Sequence, residues 1–272
     1  MAGAPALSLD ASRAAWDHAA DAYAGGQASG RDVYRLAFFG PAQVALCGDV
    51  RGQRILDLGC GSGYLARALA ARGARVDGVD LSPNMVAHAR RAEAERPLGV
   101  TYHVADAAAA GDLFAPGSFD LVVSCLALQD MSDPAATFRA ARALLRPGGR
   151  FVASITHPAT NTPSREWLRE PGGGKRALCV DRDFEPTVIQ YPWRGWAYDF
   201  TTPGLHVPLQ QWVAWALEAG FSLRGLHEPR PTADALAAHP KLEDAARVPY
   251  YLFFDLHAPA EWSTDAPAGA AG

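Results

Sequence analysis

The chain has 272 residues, 49% hydrophobic and 20% charged, a composition that builds a sizeable core and excludes a mainly disordered chain. Lys and Arg number 25 against 29 Asp and Glu, and a formal net charge of -4 makes a general phosphate-backbone binder a poor reading. No apolar run reaches the roughly 20 residues that span a bilayer.

The opening MAGAPALSLD lacks a basic region ahead of an apolar stretch, so no signal peptide is expected. Ser12–Tyr23 reads as a helix, with Trp16, Ala19, Ala20 and Tyr23 on one face. A second helix is expected around Asp32–Cys47. From Arg54 onward, apolar strand-like runs alternate with helical ones. Strands are expected at Arg54–Leu58, Arg75–Asp80, Val100–Ala105, Phe119–Ser124 and Arg150–Thr156, and helices at Tyr64–Arg72, Pro83–Glu95 and Pro134–Leu145. Such alternation builds a parallel sheet with helices on both faces. Residues 157–207 break the rhythm with prolines, glycines and a dense aromatic run, and read as an irregular insertion. A helix at Pro208–Ala219 and strands at Phe221–Leu226 and Tyr250–His257 follow, then a loose tail over 258–272. Cys47, Cys60, Cys125 and Cys179 are scattered, without metal-ligand spacing. The expectation is four reduced thiols, a cytoplasmic protein and no metal site.

The most informative stretch is Asp57-Leu58-Gly59-Cys60-Gly61-Ser62-Gly63, which closes the first strand and opens a helix. Glycines allow a tight turn and a close ligand approach, and the helix start offers free N–H groups to an anion. Asp57 sits where a pyrophosphate would be unwelcome and a cationic ligand group welcome. Asp80, at the tip of the next strand, is placed to accept hydrogen bonds from two ribose hydroxyls. Asp106 follows the third strand, where it and the backbone of Ala107 can meet an adenine edge. The spacing also departs from the G-x-G-x-x-G dinucleotide fingerprint, which argues against a nicotinamide dehydrogenase.

These residues resemble the class I S-adenosylmethionine-dependent methyltransferases, of the small-molecule type with a UbiE-like core. The likeness runs through ILDLGCGSGYLARAL, VDGVDLSPNMVAHAR, HVADA, FDLVVSCLALQDM and LLRPGGRF. It implies a Rossmann-like α/β fold: a seven-stranded, mostly parallel sheet with helices on both faces and the last strand antiparallel. It also implies an N-terminal helical cap (1–50), a core (51–257) and a lid inserted after the fifth strand. By the same resemblance, Gly59, Cys60, Gly61 and Gly63 cradle the methionine part of S-adenosyl-L-methionine, with Asp57 near its ammonium or an ordered water. Asp80 holds the ribose, Leu81 packs on the adenine, Asp106 and Ala107 meet its edge, and Cys125 lines the methionine side. Tyr23 and Trp16 lie on a helix that in relatives folds over the cofactor.

Methyl transfer is an in-line displacement in which the protein mainly aligns the partners and excludes water. A base is needed only for some acceptors. His157, directly after the fifth strand, and His206, at the end of the lid, are the base candidates. Gln129, Asp130, Tyr191, Trp193 and Trp196 are the candidate substrate contacts. The aromatic run has three open readings: a wall for an apolar or aromatic acceptor, a cage for a cationic amine, or lid packing. No Asp/Asn-Pro-Pro-Tyr follows the fourth strand, which disfavours methylation of base or amide nitrogens. The expectation is a methyltransferase acting at oxygen, nitrogen or carbon of a small organic molecule, as in secondary metabolism. A monomer or homodimer without nucleic-acid or membrane partners is expected. The alternative is a protein of the same fold that binds the cofactor but catalyses a reaction such as cyclisation.

Overall fold

A computed structural model describes residues 7–260. Helix α1 (Leu9–Ala28) starts where the Ser8 hydroxyl accepts from the Ala11 N–H. Helix α2 (Gly40–Cys47) is preceded by a π-helical turn at Arg35–Phe39, so the single helix expected over 32–47 is broken in two. The core follows as β1 (Arg54–Leu58), α3 (Tyr64–Ala70), β2 (Arg75–Asp80), α4 (Pro83–Glu95), β3 (Thr101–Val104), β4 (Phe119–Cys125), α5 (Pro134–Leu144) and β5 (Leu145–Thr156). The later elements are β6 (Ser164–Arg169), β7 (Lys175–Asp181), β8 (Thr187–Trp193), β9 (Phe200–His206), α6 (Leu209–Glu218), β10 (Ser222–His227), α7 (Ala233–Ala238), α8 (Glu243–Arg247) and β11 (Tyr251–His257).

Seven strands form one sheet in the order β10-β11-β5-β4-β1-β2-β3. The pairs β1–β2, β2–β3, β1–β4 and β4–β5 are parallel, and β11 runs antiparallel to both neighbours. The seven-stranded sheet expected from the motifs is present, antiparallel last strand included. Alternating residues of β1 feed two separate cores. Ile55 packs with Leu65, Leu69 and Val76 on one face, while Leu56 and Leu58 pack with Phe119, Phe138 and Phe151 on the other. Coverage on both faces is why the strands read as continuous apolar runs. The strand order reverses direction at β1, between β2 and β4, which opens a crevice at the strand tips.

The segment expected to be irregular, 157–207, contains two antiparallel hairpins, β6–β7 and β8–β9. Some of its prolines and glycines mark turns, while Pro192 lies within β8 and Pro203 and Gly204 lie within β9. The turn between β6 and β7 carries Pro171-Gly172-Gly173-Gly174. Helices α7 and α8 span six and five residues, too short to show a helical period in sequence. Ala258, expected to begin the tail, is fully buried and exchanges backbone hydrogen bonds with Gly148 and Gly149. The rest of that expected tail, 261–272, lies outside the described residues.

Helix α1 is tied across the strand tips. Asp17 accepts from the Ser82 hydroxyl at 2.5 Å and from the Asn84 N–H at 3.2 Å, and the Ser12 hydroxyl donates to the Asp130 carbonyl at 2.8 Å. Among the described residues, no helix is long and apolar enough to cross a membrane. Cys47, Cys60 and Cys125 are buried free thiols, and Cys179 is an exposed one.

Candidate active site

The glycine turn between β1 and α3 forms the floor of a cleft. Gly59 has φ +73°, and a Cβ there would stand 2.4 Å from the Ala127 Cβ. Gly61, at φ +53°, faces open space, with no protein atom within 4 Å of a Cβ built on it. The loop is therefore tight against the protein at one glycine and leaves room for a ligand at the other. Gly59→Ala is expected to cost about 1–3 kcal/mol, from overpacking and left-handed backbone together. Chemical denaturation of the variant measures this.

Two carboxylates flank the turn. Asp57 is 1% exposed. Its Oδ2 accepts from the Ala66 N–H at 3.1 Å, while its Oδ1 is buried without a partner. Burial raises its pKa to about 7, against the Ala66 hydrogen bond, and the neighbouring Asp80 adds to the rise. Asp80 accepts from the Gly61 N–H at 2.8 Å through Oδ2 and from the Ser82 N–H at 2.9 Å through Oδ1. Burial lifts its pKa as well, opposed by those two hydrogen bonds. Each carboxylate oxygen has a second lone pair, so both can still accept from a sugar hydroxyl. Asp106 caps a short turn by accepting from the Ala108 N–H at 3.0 Å. It lines the cleft together with Leu81, Ala107, Cys60 and Cys125.

The cleft holds one basic side chain that sequence reasoning missed. Arg35, 7% exposed, pairs with Asp32 at 3.0 Å, donates to the Tyr23 hydroxyl, and points Nη1 at the Cys125 sulfur, 3.5 Å away. A guanidinium carries five donor hydrogens, which leaves some for a ligand carboxylate. Asp32 three residues ahead is the local signal. The decisive partners, Tyr23 and Cys125, come from distant segments. Burial pushes the Tyr23 hydroxyl well above its ordinary pKa, so it stays protonated.

A second, larger cavity of about 730 Å³ adjoins the cleft and shares Trp16, Tyr23, Arg35, Leu126 and Asp130 with it. Its size is that of a small-molecule site. Gln129, Asp130, Tyr191, Trp193 and Trp196, the candidate substrate contacts, all line it. Asp130 is the one carboxylate common to both spaces, and burial raises its pKa well above the ordinary value despite the Gln129 hydrogen bond.

The two candidate base histidines are not brought there. The His157 Nε2 stands 2.9 Å from Glu228, and its ring lines neither space. The chain turns just after β5, with the Asn161 N–H donating to the His157 carbonyl, so Thr156 and Asn161 reach the wall instead. Burial lowers the His157 pKa, opposed by Glu228. The His206 Nε2 lies 2.9 Å from the Asp183 carbonyl, and its ring faces a separate small cavity. Gly63 caps α3 with its backbone, outside the cleft lining.

A glycine turn and acids at neighbouring strand tips, opening on an aromatic-walled chamber, define a nucleoside-binding enzyme of the doubly wound α/β class. Residues 56–153 match the family model of a methyltransferase domain. The crystal structure of an S-adenosylmethionine-dependent methyltransferase from Mesorhizobium loti is 32% identical, with TM-score 0.66, over 80% of this chain and 96% of that one. The chain belongs to the S-adenosylmethionine-dependent methyltransferases, and its cofactor is S-adenosylmethionine. A ubiquinone biosynthesis O-methyltransferase of Xanthomonas campestris is 43% identical over 42% of this chain and 45% of that protein. The chain thus spans less than half the length of the curated relatives it matches. A Burkholderia thailandensis N1-methyltransferase, solved with 1,6-didemethyltoxoflavin and S-adenosylhomocysteine, shares the fold at 16% identity and TM-score 0.57 over 94% of this chain and 93% of that one.

Proposed function

We propose that this protein transfers a methyl group from S-adenosylmethionine to a hydroxyl of a small organic acceptor held in the larger cavity. The observation that carries the reading is the junction itself: a cleft built from Asp57, the glycine turn and Asp80 opens at Asp130 into an aromatic chamber. The cofactor fits the residues present. The unpartnered Oδ1 of Asp57 suits its ammonium, directly or through water. Arg35 suits its carboxylate, Asp80 its ribose, and Leu81, Asp106 and Ala107 its adenine. When bound, it supplies a methyl made electrophilic by a sulfonium.

The chain's own part is alignment, exclusion of water and one proton transfer. Trp16 and Tyr23 roof the junction. Asp130 takes the proton of the acceptor hydroxyl. Its burial makes it a stronger base than an exposed carboxylate, and it touches both spaces where the reacting oxygen must sit. The relatives' O-methyltransferase activity supports oxygen as the methylated atom. Free thiols and the lack of a membrane-crossing helix among the described residues support a cytoplasmic location.

The test incubates the protein with S-adenosylmethionine and a panel of hydroxylated aromatics. The expected result is S-adenosylhomocysteine and a product heavier by one methyl. Cofactor binding with conversion of an acceptor at unchanged methyl content would favour the cyclase-type alternative. With a converted acceptor in hand, Asp130→Asn should lower kcat about 10²-fold or more while leaving S-adenosylhomocysteine affinity near wild type. An unchanged kcat would remove Asp130 from the proton transfer.

A further inference from the structure

The larger cavity carries a charge that its aromatic walls do not need. Five cationic side chains line it, Arg31, Arg35, Arg165, Arg194 and Lys241, against two acids, Asp32 and Asp130. Arg35 and Asp32 neutralise each other. The other four cations sit exposed at the rim, and among the described residues none of them forms an ion pair with a carboxylate. The chain as a whole is acidic, so this rim is a local reversal of its charge.

Arg165 and Lys241 both line the cavity and are linked through a pair of stacked tyrosines. The Tyr34 hydroxyl donates to the Lys241 carbonyl at 2.9 Å, and the Tyr34 ring lies parallel to that of Tyr250, centroids 6.0 Å apart. The Arg165 guanidinium stands 5.3 Å over the same Tyr250 ring, and its Nη1 donates to Asn161 at 3.3 Å. The end of the β8–β9 hairpin also lines the cavity, with Trp193 and Trp196 beside Arg194. There the aromatic faces are turned on each other: Tyr23 stacks on Trp196 at 5.7 Å and Trp193 on Phe200 at 5.6 Å. A cage for a cation needs open ring faces. Each of these rings has one face taken by another ring, and the cationic rim would repel a cation.

We propose that the acceptor is a flat aromatic molecule bearing an anionic group, carboxylate or phosphate, which Arg165 and Lys241 hold while its apolar body lies toward Trp16 and Trp193. This rests on the reading of the larger cavity as the acceptor site. A positive rim of this kind raises the arrival rate of anions and discriminates against amines of the same shape.

Calorimetry on the protein saturated with S-adenosylhomocysteine tests it, using naphthoate, naphthyl phosphate, naphthylmethanol and naphthylmethylamine as matched probes. An anionic probe is expected to bind about tenfold or more tighter than the alcohol, through charge-assisted hydrogen bonds, with the amine weakest. Whichever of naphthoate and naphthyl phosphate binds tighter names the group. The preference should shrink as salt is raised. The double variant Arg165→Gln/Lys241→Gln should lose the preference and keep its S-adenosylhomocysteine affinity, which also reports that it is folded. Equal affinities across the set, tighter binding of the amine, or no binding of any probe overturns the inference. Failure of S-adenosylhomocysteine to bind at all would instead overturn the methyltransferase reading beneath it.

Discussion

Asp80→Ala is expected to weaken S-adenosylhomocysteine binding by about 10²- to 10⁴-fold. Two ribose hydroxyls each lose a charge-assisted acceptor worth about 1.5–3 kcal/mol, and each 1.4 kcal/mol is a factor of ten. The same deletion strips the Gly61 and Ser82 N–H groups of their acceptor, so the glycine turn loses its anchor along with the sugar clasp. Asp80→Asn separates the two effects, because an amide oxygen still accepts one of these bonds while the charge is gone. Its loss of affinity should be smaller. Isothermal titration calorimetry of wild type and both variants measures the series. Wild-type affinity in Asp80→Ala would place the sugar elsewhere.

The second large effect concerns stability rather than affinity. Asp57 ionises at about 7 in the folded protein against 3.8 for the free side chain. A raised acid favours the folded state most below the unfolded value, and that advantage is lost as pH climbs through the folded value. Ligand-free wild type should therefore lose stability between about pH 4 and pH 7 on this account, by a total of about 4 kcal/mol. Asp57→Asn has no such carboxylate to ionise. Urea unfolding of both proteins should show the variant gaining on wild type as pH rises and the gap levelling off above about pH 7. A gap independent of pH would mean that the carboxylate is not held in a desolvated site. The variant should also bind S-adenosylmethionine more weakly, because the ammonium loses its counter-charge. The destabilising acid is thus kept for binding, a trade common at functional sites.

The cleft lined by Asp57, Gly59, Gly61 and Asp80, the proposed cofactor site, was legible in the sequence for a physical reason. A parallel strand buried on both faces must be an apolar run, and a ligand at its tip requires glycine and a polar end group within a few residues. Asp57, Gly59, Gly61 and Asp80 therefore carry their own local signature. The larger cavity, the proposed acceptor site, has none. Its walls join Trp16, Asp130, Tyr191 and Lys241, which meet only through tertiary packing. Arg35 lay hidden because a cation on an amphipathic helix reads as solvent-facing, and only the break at Arg35–Phe39 and the distant Tyr23 explain its burial. His157 has the chemistry of a base and the position after a core strand, yet the turn that follows aims it at Glu228. The direction of one side chain after a strand depends on two or three backbone angles that composition does not reveal.

The ties between α1 and the strand tips bear on timing. Asp17 grips the segment just past Asp80, and Ser12 grips the backbone of Asp130, so one helix latches both ends of the junction. Moving that helix away from the strand tips would break all of these hydrogen bonds. On the proposed reading of the cleft, that N-terminal latch would then govern release of the spent nucleoside, at a distance from the atoms that react.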